Sequence, residues 1–227
     1  MTCISVVIAT HERPALIARC LRALEAQVLP PTEVIVIDDA SRDDTPALLR
    51  EWVRRHSTNI RVERLEVNGG PARARNRGIA LARGEWVAFT DDDCEPEPDW
   101  LAALATRASE VLPTVAGIGG RVLPAAPGLI ADYMTVHRIL EPPPSCSYLV
   151  TSNCIYRRRV LLDVGGFNED VRTPGGEDPG LSFVVRQAGH SLGFCPEAIV
   201  RHHYRESIVD FLMTFYRYGR GCRLVMD

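Results

Sequence analysis

Three carboxylates in a row, Asp91, Asp92 and Asp93, follow directly on the apolar run Trp86 to Phe89. Such a run is the mark of a buried strand, and open α/β sheets bind ligands at the carboxyl ends of their strands. On an extended backbone Asp91 and Asp93 share one side and Asp92 takes the other. Carboxylates held that close repel one another unless a cation or hydrogen-bond donors lie between them. A divalent metal carrying phosphate oxygens suits the arrangement, because Mg²⁺ favours one or two carboxylates plus substrate phosphates. An acidic turn in water is the plain alternative, and the buried strand in front of it favours function.

Other polar groups fall at comparable places. Thr10-His11-Glu12-Arg13 follows the β-branched run Ile4 to Ala9, and Asp38-Asp39 follows Val34 to Ile37. Between them Leu16, Ile17, Cys20, Leu21 and Leu24 recur at helical spacing behind Pro14, with Pro30-Pro31 as a stop. Thr45-Pro46 caps a helix through Arg55. Ile60, Val62 and Val67 mark a third strand, and Asn68-Gly69-Gly70-Pro71 turns into an arginine-rich helix to Arg83. Strand, helix, strand, helix, strand, helix, strand is a doubly wound α/β pattern with helices on both faces and the strand ends along one edge. A crevice there can hold a nucleotide, although no Gly-x-Gly-x-x-Gly follows the first strand.

Beyond Trp100 the alternation weakens. The pattern predicts a helix through Ala108 and a strand over Val115 to Val122. Pro124 to Ser147, with Pro142-Pro143-Pro144 inside it, reads as irregular, and so long an irregular segment is usually functional or mobile. A strand is expected over Tyr148 to Tyr156, short helices from Arg157 and from Glu177-Asp178, a short strand Ala198 to Val200 before Arg201-His202-His203, and a helix Asp210 to Tyr218. Acids at a helix start such as Glu177-Asp178 favour the macrodipole without any catalysis.

Length fits one continuous domain, read as a nucleotide-sugar half over 1–119 and an acceptor half over 120–227, with a further segment beyond the last helix left open. A net charge of −3 gives no reason to expect nucleic acid. All 26 basic residues are arginine, which excludes a P-loop lysine, a Schiff-base lysine and a nucleotidyltransferase lysine. Seven cysteines, odd in number and without a C-x-x-C pair, read as reduced core thiols of a cytoplasmic protein. Neither a leader nor a run near the ~18 residues of a membrane span is expected. Phe211, Leu212, Phe215 and Tyr216, flanked by Arg217, Arg220 and Arg223, form an aromatic face that either packs as core or rests on the inner face of a membrane.

The order of motifs resembles the family 2 glycosyltransferases of the GT-A fold. The pieces are Ser5 to Thr10, Val36 to Ser41, Asn68-x-Gly70 with Ala74-Arg75-Asn76-x-Gly78, Thr90 to Asp93, Asn153 with Arg157-Arg158, Gly165-Gly166-Phe167-Asn168-Glu169, Glu177-Asp178, and Val200-x-His202. The family often has Asp where Asn168 stands, and another acid where Cys94 stands; neither departure touches the chemistry the resemblance implies. The Gln-x-x-Arg-Trp motif of processive synthases is missing, so the resemblance implies transfer of a single sugar, in cell-envelope polysaccharide, glycolipid or other glycoconjugate synthesis.

By that resemblance the fold is a Rossmann-like, mostly parallel sheet. Asp39 would accept from the base of a UDP-, GDP- or dTDP-sugar, flanked by Thr10, Glu12 and Arg13. Arg75 would face the base or diphosphate, with Arg73 and Arg77 on a solvated face. Asp91 would orient the ribose beside Asp92, and Asp93 would hold Mn²⁺ or Mg²⁺ with His202 as second ligand, while His203 points away. Asp178 would be the general base of an inverting transfer to a glycan, lipid-linked or other hydroxyl acceptor fixed by Glu177. An Asp near its ordinary pKa of about 3.9 is a weak base, so positioning would supply much of the effect. A degenerate binding module and a sugar nucleotidyltransferase are the competing readings.

Overall fold

The computed structural model describes residues 2–55, 59–143, 145–172, 175–205 and 207–226, without the side chains of 222 and 224–226. Pro144 and the Cys222 side chain, both drawn into the expectations above, therefore lie outside the described residues. The chain runs β1 (Ile4–Thr10), α1 (Pro14–Glu25), β2 (Glu33–Asp38), α2 (Thr45–Arg55), β3 (Ile60–Arg64), α3 (Pro71–Leu81) and β4 (Trp86–Phe89). It continues through β5 (Cys94–Pro96), α4 (Trp100–Glu110), β6 (Val115–Pro124), α5 (Leu129–Val136), β7 (Cys154–Arg157) and α6 (Arg158–Asp163). It closes with α7 (Glu177–Gln187), β8 (Ser191–His202) and α8 (Ile208–Met226).

One eight-stranded sheet has the order β3-β2-β1-β4-β7-β6-β8-β5. Neighbours run parallel from β3 to β4 and between β6 and β8, whereas β7 and β5 are antiparallel to their neighbours. Period-2 alternation supplies a core on each face. Val34 and Val36 join Ile17, Leu21, Leu49, Trp100 and Leu104 on one side. Ile35 and Ile37 join Ala74, Ile79, Leu161, Leu181 and Val185 on the other. Helix α3 comes so close to the sheet that a Cβ on Gly78 would lie 2.3 Å from Val7 Cγ1, which is why only glycine fits there.

Several expectations need correction. Val67 is exposed and lies beyond β3. The stretch 124–147 contains α5, whose Tyr133 ring packs on Phe211 of α8. Strand β7 is only four residues long, because the backbone before it bonds sideways to α7: Leu149 N–H donates to Ser182 Oγ and Thr151 N–H to Asp178 Oδ2. Strand β8 spans twelve residues rather than three, with an irregularity opposite Gly119 to Arg121 that accommodates Pro196. Residues 119 and 120, where the two halves of the one continuous domain meet, lie inside β6 at that irregularity.

Helix α8 continues through Gly219 and Gly221, where the sequence read a stop. Tertiary contact decides this: a Cβ on Gly221 would lie 1.5 Å from Gly175 O, so α8 crosses the start of α7 at backbone distance. Among the described residues no helix is long and apolar enough to cross a membrane. Cys20, Cys94, Cys154 and Cys195 are buried thiols, as expected of core cysteines, but Cys3 is exposed.

Candidate active site

The carboxyl ends of β1, β2 and β4 open onto a cleft of about 550 Å³ that takes in Thr10 to Arg13, Asp39, Arg75, Asp91 to Asp93 and His202. Glu12, exposed and at a positive φ of 54°, donates its backbone N–H to Ser41 Oγ and so ties the turn after β1 to the turn after β2. The two aspartates after β2 divide their work. Asp38 caps its own turn by accepting from Ser41 N–H. Asp39, buried at the cleft wall, instead accepts from Gly69 N–H (2.9 Å) and Gly70 N–H (2.8 Å) across the crevice. Gly70 holds a φ of 86°, and a Cβ there would strike Arg172 O at 2.2 Å.

The acidic triplet is a turn, not an extended strand. Cys94 N–H donates to Asp91 O, and the three side chains fan out differently from simple alternation. Asp92 and Asp93 share Arg13, whose Nη1 lies 2.8 Å from Asp92 Oδ1 and 2.9 Å from Asp93 Oδ2. Asp91 turns away to Arg75 Nη2 at 2.7 Å. Arg13 therefore shares one positive charge between two of the three aspartates. Thr10 Oγ1 donates to the remaining oxygen of Asp92 at 2.7 Å.

Arg75 is buried and bridges the two ends of the site, with Nη1 3.1 Å from Glu177 Oε1. Its position is set by neighbours in sequence and in space. Asn76 clamps the Gly165-Gly166-Phe167 turn through two hydrogen bonds, Nδ2 to Phe167 O and Phe167 N–H to Oδ1. That turn delivers the Phe167 ring to the Arg75 guanidinium, 5.7 Å away. Arg77 pairs with Glu63 at the surface, and Arg73 is exposed, as read.

Glu177 and Asp178 do not line the cleft itself; they stand behind Arg75 at the start of α7. Glu177 accepts from Gly175 N–H as well as from Arg75, so it is held on two sides. Asp178 accepts Thr151 N–H on Oδ2, while Oδ1 is buried without a hydrogen-bond partner. Burial and the Glu177 charge push its carboxyl up to about 7, against the pull of Arg75. The expectation of an ordinary, weakly basic aspartate is thereby corrected: the carboxylate is made a stronger base by its surroundings.

At the other end of the triplet, His202 Nε2 lies 3.4 Å from Asp93 Oδ1. The ring stacks on Tyr204, and its Nδ1 is buried without a partner. Cys94 Sγ joins these two groups, all donor atoms lying within 4.8 Å of one another. His203 makes its own contacts, with Glu95 through Nε2 and with Asp93 O through its N–H. Burial and Asp93 push Asp92 up to about 6, whereas burial of Asp93 is outweighed by His202 and Arg13, which hold it below the usual range. Five carboxyl groups (Asp91, Asp92, Asp93, Glu177, Asp178) thus share two guanidinium groups, an excess of negative charge that a divalent cation relieves. The donor set fits such an ion.

Arg172, Arg205 and Arg217 also reach the cleft. The first two carry no motif to single them out; Arg217, expected beside the aromatic face of the last helix, lines the cleft. Phe211 and Phe215 pack with Tyr133, while Leu212 and Tyr216 are exposed.

Residues 5–165 match the family described as Glycosyl transferase family 2. The chain belongs to that family. The Pre-mycofactocin glycosyltransferase of Mycobacterium tuberculosis (strain CDC 1551 / Oshkosh) is 32% identical over 197 residues, covering 82% of this chain and 40% of the relative. The family 2 chain thus spans about two fifths of that relative's length. The mannosyltransferase PcManGT from Pyrobaculum calidifontis, solved with GDP-Man and Mn²⁺, aligns at TM-score 0.76 and 22% identity over 100% of this chain and 65% of its own. Staphylococcus aureus TarS 1-349 with UDP-GlcNAc aligns at TM-score 0.66 and 23% identity, over 90% and 59%. The fold is therefore GT-A, as its mostly parallel sheet and two helical faces indicate.

Proposed function

We propose that this family 2 chain is the unit that moves a single sugar from a nucleoside-diphosphate donor to an acceptor hydroxyl with inversion, in cell-envelope or other glycoconjugate synthesis. The observation that carries the reading is the pairing of a metal-type donor set at Asp93 and His202 with a strengthened base at Asp178, whose Oδ1 is buried without a hydrogen-bond partner, linked through Arg75. Asp39, Thr10, Glu12 and the 1–119 half hold the nucleoside, and Asp91 the ribose. Arg75 loses no freedom on meeting anionic oxygens, because two carboxylates already fix its fork. Asp93 and His202 would hold Mn²⁺ or Mg²⁺, which supplies Lewis-acid stabilisation of the departing diphosphate.

In the transfer itself the acceptor oxygen bonds to the anomeric carbon as the bond from that carbon to the diphosphate oxygen breaks. The hydroxyl proton passes to Asp178, and Glu177 fixes the acceptor. PcManGT was solved with GDP-Man and TarS with UDP-GlcNAc, so the GT-A fold is compatible with either base, and dTDP stays in the screen.

A melting-temperature screen of UDP-, GDP- and dTDP-sugars with Mn²⁺ tests the donor site. At a hundred times Kd a ligand adds about 2.7 kcal/mol, worth roughly 5 °C or more in a chain of this size. The shift is expected for one nucleotide class and is expected to vanish with chelator or in Asp93→Ala. Release of nucleoside diphosphate on adding acceptor separates a transferase from a binding module. Absence of any shift in well-folded protein favours the module.

The acceptor is proposed to be presented at a lipid surface. Ile208, Val209, Leu212, Met213 and Tyr216 on α8 are exposed, and Leu129 and Val136 on α5 add to the same apolar character beside the cleft. Burying even one Leu or Val side chain is worth about 1.5–3 kcal/mol. Anionic vesicles are therefore expected to pellet the protein, and Val209→Glu with Leu212→Glu to weaken this at least about tenfold. No pelleting by any vesicle, or pelleting unaltered by the double substitution, rejects the surface.

A further inference from the structure

One member of the cluster at Asp93 has no part in the transfer just described. Strand β5 lies antiparallel beside β8, which sets Cys94 directly opposite His202. Asp93 Oδ1 stands 3.4 Å from His202 Nε2 and 3.8 Å from Cys94 Sγ. Donors bound to one tetrahedral ion at about 2.0–2.3 Å stand roughly 3.3–3.8 Å apart. Both separations from Asp93 fall in that range, and all three donor atoms lie within 4.8 Å of one another. Asp93 also divides its oxygens, Oδ2 meeting Arg13 and Oδ1 facing the histidine and the thiol.

Burial argues the same way. Cys94 has no exposed surface and packs within the core, so its sulfur is not a reagent for solvent. Carboxylate, imidazole and sulfur together make a softer set than the oxygens that Mg²⁺ requires.

We infer that Cys94 is a third protein donor at this centre, which gives the chain an oxygen, nitrogen and sulfur site that takes Co²⁺ or Zn²⁺ in preference to Mg²⁺. The inference rests on Asp93 and His202 as metal ligands: the imidazole already leans that centre away from Mg²⁺, and a sulfur donor strengthens the preference.

The test is Co²⁺ titration of the full chain under reducing, oxygen-free conditions, followed by absorbance. A sulfur-to-cobalt charge-transfer band in the near ultraviolet is expected, together with visible ligand-field bands. Cys94→Ser is expected to lose the near-ultraviolet band, keep visible bands and bind Co²⁺ and Zn²⁺ at least about tenfold more weakly. Cys94→Ala, with its melting temperature measured, repeats the comparison without placing a hydroxyl in the core. Mg²⁺ at equal concentration is expected to leave the Co²⁺ spectrum unchanged. Visible bands that depend on Asp93 and His202 but carry no sulfur band overturn the role of Cys94 and leave the two-ligand site standing. A sulfur band that survives both substitutions belongs to another cysteine and also overturns it. No Co²⁺ binding at all overturns the site together with the inference.

Discussion

Asp178→Asn is expected to lower turnover about 10²- to 10⁴-fold, the range a positioned general base contributes, while the donor-induced melting shift survives. Asparagine keeps the shape and can still accept the Thr151 N–H bond, so the start of α7 stays in place. What it removes is the basic oxygen, Oδ1, buried without a partner. Turnover of the wild type should rise tenfold per pH unit below about 7 and level off above it, because burial and Glu177 push the Asp178 carboxyl up to about 7. A rate that is flat from acidic to alkaline pH, or a variant that loses donor binding along with turnover, removes Asp178 from the role of base.

The same shift has a consequence for stability. A carboxyl whose folded pKa lies above its unfolded value of about 3.9 favours folding while protonated. That contribution is complete below about pH 4 and is lost as pH rises through about 7. Asp178→Asn carries no such loss, so its advantage over the wild type grows from pH 4 to pH 7 and is constant above. A shift of about three units implies roughly 4 kcal/mol at most. Partial exposure and shared charge with Glu177 and Arg75 reduce this to on the order of 1–2 kcal/mol. Melting curves across pH measure it, and an advantage that shrinks towards neutrality contradicts the sign.

The first ninety residues were legible because their signals are local. Apolar runs such as Ile4 to Ala9 and Val34 to Ile37 can only be covered strands, and Pro14 and Pro71 open helices where prolines are tolerated. The later chain hides its structure in long-range contacts. Gly219 and Gly221 look like a helix stop until Gly175 is known to press on them. Tyr148 to Asn153 has strand composition, yet its N–H groups go to α7. At the site, residue types at strand ends placed Thr10 to Arg13, Asp39 and Asp91 to Asp93 along one cleft, but the partner of each was out of reach. Nothing local says that Arg13 joins Asp92 and Asp93, or that Cys94 meets His202 across two strands. Asp178's altered acidity likewise depends on burial, and on Arg75 and Asp91, which the fold brings to it beside its sequence neighbour Glu177.

Arg75→Met is expected to produce the largest loss of stability of any single change in the site, about 3–5 kcal/mol. The guanidinium is buried and holds Asp91 on Nη2 and Glu177 on Nη1, and the charge of Asp178 also reaches it. Burial alone would lower its pKa, and these carboxylates more than reverse that, keeping the charge fixed at every working pH. Methionine fills much of the space but leaves buried carboxylates facing one another without a cation, so the cost is charge rather than a cavity. Lysine is not expected to rescue the loss, since one ammonium cannot present the fork that spans two carboxylates. Adding Asp91→Asn to Arg75→Met should recover part of the stability, because residues in one charge network are coupled rather than additive. Urea midpoints of the single and double variants measure this, and a loss under about 1 kcal/mol for Arg75→Met would show that the carboxylates do not need it. Such a result would also detach the acceptor end from the donor end, because Arg75 is the side chain that carries charge from Asp91 to Glu177.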